Sequence, residues 1–362
     1  MRRRDLLKLG ALALIGARTP WVLAGTGETR LLSAASDADG HHYVIGLDET
    51  GAERFRTALP GRAHAIVAHP DGRHALAVAR RPGRFIVVVE LSDGAIVGQI
   101  DASEGRHFYG HAVFSADASR LYATENDYQR GEGRVGVYDV RAGYHRVGEW
   151  PSGGIGPHEL LRDGDTLIVA NGGLRTHPDQ GRRTLNPEAI HPSLVWIDRG
   201  TGHELARNDA PAEWQRSSIR HIAALADGHV AVAMQHQGDS GGQAPLIAIA
   251  HPERGLRPLY APDTLQRRMR DYCGSVTADA DGSAFAVSAP RGNRILFWSA
   301  AGDYLGDIRV EDGCGLAAEG RRGGFLISDG RGGLHRHDAH GGTTQALTVH
   351  PAVRFDNHLL HL

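Results

Sequence analysis

Residues 63–100 read AHAIVAHPDGRHALAVARRPGRFIVVVELSDGAIVGQI, and this stretch decides the fold. It holds an apolar run at Ala65–Ala68, the turn Pro70-Asp71-Gly72, and a second run at Ala75–Ala79. A third run at Phe85–Glu90 leads through the turn Ser92-Asp93-Gly94 to a fourth at Ala95–Ile100. Short Ala/Val/Ile-rich runs bounded by Asp-Gly signals are strands joined by tight connections. Four such strands with polar turns make one blade of a β-propeller.

The unit recurs. A second copy starts at Gly110 and runs through Val113–Ser115, the turn Asp117–Ser119, Leu121–Thr124 and Val135–Asp139. Further copies start at Pro157, Arg220, Tyr272 and Gly313, with third strands at Leu194–Asp198, Leu246–Ala250, Ile295–Ser299 and Gly333–Asp338. The N-terminal part supplies three strands without a leading one: Arg30–Ser36, His42–Leu47 and Glu53–Leu59. The C-terminus supplies a lone leading strand, Asn357–Leu362. A closed ring joins these orphans into one composite blade and removes the exposed sheet edges. The expectation is an all-β, seven-bladed propeller spanning residues 25–362, closed by pairing of the C-terminal strand with the N-terminal ones.

Composition agrees. The chain has 48 Gly, which suits many tight turns, and no long helical periodicity beyond its N-terminus. A net charge of −2 with scattered Arg leaves no electrostatic footprint for nucleic acid. Residues 1–24 read as an address: Arg3-Arg4-Asp5-Leu6-Leu7-Lys8 fits the twin-arginine pattern, and an apolar stretch follows from Leu9 to Ala17. That stretch is too short for a permanent span, and Val22-Leu23-Ala24 offers a cleavage site. The chain is expected to be exported to the periplasm by the twin-arginine route, with no membrane span after cleavage.

The chain has 22 His and only two Cys. With the repeats aligned on their turns, the start of the first strand reads His64, His111, His158, His221, Cys273, Cys314 and His358. First strands line the central channel, so these side chains are expected to ring one mouth of it. Imidazole and thiolate are ligands for copper, zinc or iron. The competing reading is a polar plug in which the histidines bond to neighbouring blades and water. The two cysteines have a rival fate as a disulfide in an oxidising compartment.

Glu159 and Arg220, beside ring positions, and His107 are candidate partners for the ligands or a cofactor. The loops between second and third strands should emerge over the same mouth. The longest is Gly172–Ser193, whose His177 and Arg182 are candidate cofactor contacts. Long loops gathered on one face mark the functional one.

Within that insert, Asn171-Gly172-Gly173-Leu174-Arg175-Thr176-His177-Pro178-Asp179-Gln180-Gly181-Arg182, with Leu185-Asn186 and Pro192-Ser193-Leu194, resembles a family of Tat-exported bacterial propellers classed as a domain of unknown function. The resemblance covers nearly the whole chain. It implies a role in metal acquisition, since members are often encoded beside imelysin-type periplasmic proteins and a di-haem oxidase-like protein. It carries over no catalytic residues. There is also a distant similarity to propellers of the amine-dehydrogenase and YVTN type.

Three functions compete at this level. The first is a periplasmic protein that binds a transition metal, iron or copper, and works with imelysin-type or di-haem partners. The second is an enzyme, either a redox metalloenzyme using the ring or a lactonase-like hydrolase. The third is a metal-free interaction scaffold. Carboxylates for a hard-cation site are few beside the ring, Cys-x-x-Cys-His is absent, and so are a phosphate loop and a Gly-x-Ser-x-Gly elbow.

Overall fold

A strand that is apolar on both faces needs a neighbour on each side. His74–Ala79 shows how this is met: Leu76 and Val78 pack toward one neighbouring sheet, while Ala75 and Ala77 pack toward the other. This is the period of two expected of a strand. The same demand in every repeat produces a circle of sheets. The computed structural model describes residues 28–362 except Arg182, so the expected leader at residues 1–24 lies outside the described residues.

Among the described residues there are seven four-stranded antiparallel sheets. Blade one is composite. Its inner strand, Arg354–His361, pairs with Leu31–Ser36, followed outward by His42–Leu47 and Glu53–Leu59. The inner strands of blades two to seven are Ala63–Ala68, Arg106–Phe114, Pro157–Asp163, Ser217–Ala224, Ser275–Ala278 and Gly313–Ala318. Within each of these blades the strands follow one another outward in chain order.

The apolar core is divided in the same way. Seven clusters of buried side chains each lie between two adjacent blades, including one between blade seven and the composite blade. Seven interfaces for seven blades leave no open face, so the ring is closed. The predicted Asp turns form as local side-chain-to-backbone bonds. Asp71 Oδ1, for example, accepts from the amides of Arg73 and His74.

One element was not expected. A short helix, Asp263–Arg268, links blades five and six and buries Leu265, with Met269 just after it, in the core between those two blades. Its apolar pattern is too brief to register as helical periodicity. No helix among the described residues is long and apolar enough to cross a membrane.

Candidate metal centre

The inner strands are irregular at one level. The ladder between first and second strands slips between Ala63 and Ile66, Phe108 and Ala112, Pro157 and Glu159, Ile219 and His221, and Gly313 and Gly315. The pairing of Leu31–Ser36 with the inner strand of blade one slips beside His358 in the same way. Bulges re-aim side chains; His64, His111, His158 and His358 lie in these irregular stretches, as do Arg220 and Cys314, whereas His221 holds a regular ladder position.

Five imidazoles meet there. The His64 ring centroid lies 5.0 Å from that of His111, 5.4 Å from His158, 5.8 Å from His221 and 4.5 Å from His358. His221 lies 4.6 Å from His158 and 4.8 Å from His358. Gly110, at φ 111°, packs against His64, where a β-carbon would come within 2.7 Å of the ring. Residues from five blades thus become neighbours about one axis.

Four of the five offer ring nitrogens that all lie within 4.8 Å of one another: His64, His111, His221 and His358. Their Nε2 atoms are buried, and none has a hydrogen-bond partner. The opposite nitrogens of three of them face carboxylates. His64 Nδ1 donates to Asp356 at 3.1 Å, and His221 Nδ1 donates to Glu159 at 3.0 Å. His111 Nδ1 lies 3.5 Å from the other Glu159 oxygen. A proton held on Nδ1 by a carboxylate leaves the Nε2 lone pair free, which is the usual arrangement behind metal-bound histidine. His158 flanks the four, with a buried Nδ1 that also lacks a partner.

Electrostatics keep these rings neutral. Burial, opposed only by Asp356, brings His64 down to about 3. Burial and the Arg220 charge do the same to His221. Burial and the neighbouring rings hold His111, His158 and His358 well below the ordinary value. Burial raises Glu159 to about 7. Burial would also raise Asp356, but the His64 bond and the charges of Arg80 and Arg62 hold its carboxyl well below the usual range.

A pH dependence follows for metal-free protein. The unfolded chain takes up protons on these histidines near pH 6.5, whereas the folded chain resists down to about 3. The stability they allow is therefore complete above pH 6.5 and falls as pH drops toward 3. Glu159 works in the opposite sense between about pH 7 and 4.5, but it is one group against five. The urea midpoint of metal-stripped protein is expected to be clearly lower at pH 4.5 than at pH 7.5. Equal midpoints would show that the imidazoles titrate normally.

The two cysteines do not join the cluster, which corrects the expectation of a seven-membered ring. Neither sulfur belongs to the set of mutually close ligand atoms. Cys273 packs with Leu265, Met269 and Trp298 between blades five and six, and its thiol donates to the Leu246 carbonyl at 3.5 Å. Cys314 packs between blades seven and one and donates to the carbonyls of Phe355 and Asp356. Burial pushes both thiols up, away from the thiolate that binds metals. Both are free, so the disulfide alternative falls as well. Replacing both with Ala is expected to leave bound metal unchanged and to cost about 1 kcal/mol each. Loss of metal in that variant, measured by elemental analysis, would return the sulfurs to the site.

The remaining sequence candidates divide. Glu159 touches two of the imidazoles, as above. Arg220 occupies the bulge of blade five at the level His158 holds in blade four, while His221 takes the ladder position of Glu159. It lines a cavity of about 650 Å³ that opens onto His64, His158 and His221. His107 stands apart. Its Nδ1 donates to the Phe108 carbonyl and its Nε2 accepts from Asn126, so both nitrogens are used within the fold. His177 caps the short turn Pro178–Gln180 and lies edge-on to Tyr128. These two belong to a lid layer in which Thr176 of the insert bonds Tyr109 and Asn126 of blade three. Arg182 lies outside the described residues.

Asp356, Arg62 and Arg80 were missed. Arg62 Nε donates to Asp356 at 2.6 Å, and Arg80 lies 3.6 Å from the same carboxylate. The spacings Arg62-x-His64 and Asp356-x-His358 put like-facing strand residues beside ring positions, and that signal was available.

The sequence profile of a family described as "Protein of unknown function (DUF1513)" matches residues 57–362. The chain belongs to that family. The matched region contains all five clustered histidines together with Glu159 and Asp356. No curated protein matches the chain. Among solved structures, it is similar to Kuenenia stuttgartiensis hydrazine synthase, with a TM-score of 0.58 and 13% identity. That match covers 92% of this chain and 99% of the other. At such identity the likeness concerns the propeller fold alone.

Proposed function

We propose that this DUF1513 propeller binds a transition metal on His64, His111, His221 and His358, with His158 beside them, and serves iron or copper handling in the periplasm. One observation carries the reading: four buried Nε2 atoms converge without any donor to satisfy them. Each such atom costs on the order of 1–3 kcal/mol when left unpaired. A single shared cation satisfies all four at once. An all-imidazole donor set suits copper, zinc, iron or nickel and disfavours hard ions such as calcium. Glu159 and Asp356 orient the rings and offset the charge of the ion.

Export by the twin-arginine route, which carries folded proteins, is part of the proposal, as is cooperation with imelysin-type or di-haem partners. A redox role is the second reading. It is favoured by the cavity, which reaches three of the imidazoles and would admit a small molecule to a bound ion.

Elemental analysis of protein purified from its export compartment tests the proposal. At least one tightly held transition metal per chain is expected. Protein that arrives empty and takes up neither iron, copper nor zinc on titration would leave the scaffold reading in its place.

Two other clusters of ligand-type side chains lie on the surface, His69–Asp71–His74 and Asp37–Asp39–His41. Their carboxylates are already engaged in turns. Asp37 accepts from the amides of Asp39 and His41 and from the His41 ring and Tyr43 hydroxyl. They carry no proposal.

A further inference from the structure

The cavity above the imidazoles is lined by Arg62, Arg80, Arg81, Arg220 and Arg291, against one carboxylate at its wall, Asp312. Buried Asp356 answers Arg62 and Arg80 from behind. Arg291 lies over the Tyr272 ring, 4.4 Å from its centroid. Arg220 differs from these. Its side chain is 5% exposed, its Nε is buried without a partner, and its guanidinium has no hydrogen bond or ion pair with any described residue. The Arg81 guanidinium, beside it, has no carboxylate within 4.0 Å among the described residues.

A guanidinium folded into such a place without a counter-charge favours any anion that can reach it. Guanidinium forks match oxyanions in paired hydrogen bonds better than any other side chain. A cavity of about 650 Å³ has room for a small organic molecule rather than one inorganic ion. Its arginines come from blades two and five and from the first turn after the second strand of blade six.

We infer that this cavity binds a small di- or tricarboxylate, held by Arg220 and Arg81 and facing the histidine cluster. The anion site stands on the arginines alone. The further statement that a carboxylate of the ligand reaches the bound ion rests on the proposed metal function. Molecules of this class chelate transition metals, so the ligand would meet the ion on its open side while Glu159 and Asp356 hold the imidazoles from behind.

Calorimetric titration of the exported full-length protein with citrate, its neutral triethyl ester and inorganic phosphate tests this, using metal-loaded and metal-stripped samples. Citrate is expected to bind at least tenfold more tightly than the ester or phosphate. Arg220→Gln and Arg81→Gln are each expected to weaken citrate at least tenfold without lowering metal content. Thermal melts of both variants check that they are folded, and Arg81→Gln keeps the test open if Arg220→Gln does not fold. Citrate that binds no better than its ester, or equally well to both folded variants, overturns the inference. Phosphate that matches citrate overturns the polycarboxylate assignment. Citrate binding by a protein that takes up no metal supports the anion site and removes the metal function. Metal uptake without citrate binding does the reverse.

Discussion

A chain carrying His64→Ala together with His221→Ala is expected to emerge from export with no bound transition metal. These residues supply two of the four converging nitrogens, and each is anchored by its own carboxylate, Asp356 or Glu159. Two imidazoles from the remaining pair cannot compete with solvent and buffer for an ion. The fold should survive. Each substitution opens a cavity, which costs stability, but it also removes a buried unsatisfied nitrogen, and the two effects oppose one another. The matched control is His69→Ala with His74→Ala, taken from a cluster that meets the same distance criterion on the surface. Elemental analysis of both variants decides the matter. Full metal in the first, or loss of metal in the second, would place the ion elsewhere.

The second large effect is expected at Asp356, which is 5% exposed. Its carboxylate accepts from Arg62, from His64 and from the Asn357 amide, with Arg80 close by. Asp356→Asn removes the charge but keeps the shape. Arg62 and Arg80 then lose a counter-charge, and because the Arg62 side chain is 44% exposed and screened by water the expected cost is about 1–3 kcal/mol. The Asn amide keeps one acceptor oxygen but turns an NH2 toward one of the three donors, and His64 loses the charged acceptor that fixes its proton on Nδ1; partners of this kind are typically worth about 10–100-fold in metal affinity. The same variant should therefore show a lower urea midpoint without metal and weaker metal retention when loaded. If both quantities match those of the unsubstituted protein, Asp356 does not orient His64.

Much of the architecture was legible because propeller repeats announce themselves locally. Asp-Gly turns and doubly buried strands recur, and a blade missing its first strand at one end matches a strand without a blade at the other. The histidine column was legible for the same reason, as one position repeated at blade spacing. Its limits are equally physical. Spacing along the chain places a residue at a level, not on a face. The face is set by three-dimensional packing: Cys314 sits in a bulge as His158 does yet enters a seam, while His221 reaches the cluster from a regular ladder position. Thus Cys273 and Cys314 keep step with the column yet turn into the seams between blades. Blade five shifts by one residue, bringing Arg220 to the level of His158. His107 looked like a neighbour of the ring because it is near His111 in sequence, but its nitrogens are spent on Phe108 and Asn126. Asp356 stands two residues before His358, which placed it beside the column, but its partners Arg62 and His64 are almost the full length of the chain away, so the contact itself had no local signal.

The composite blade has a consequence for biogenesis. His358 and Asp356 both sit on Arg354–His361, the strand that completes blade one. Of the elements described, it is the last to leave the ribosome. Until it docks beside Leu31–Ser36, the donor set is short of one nitrogen and His64 lacks its anchor. In the proposed site, loading with metal would therefore have to wait until Arg354–His361 has been made and has docked beside Leu31–Ser36, so a bound ion would report on a closed circle.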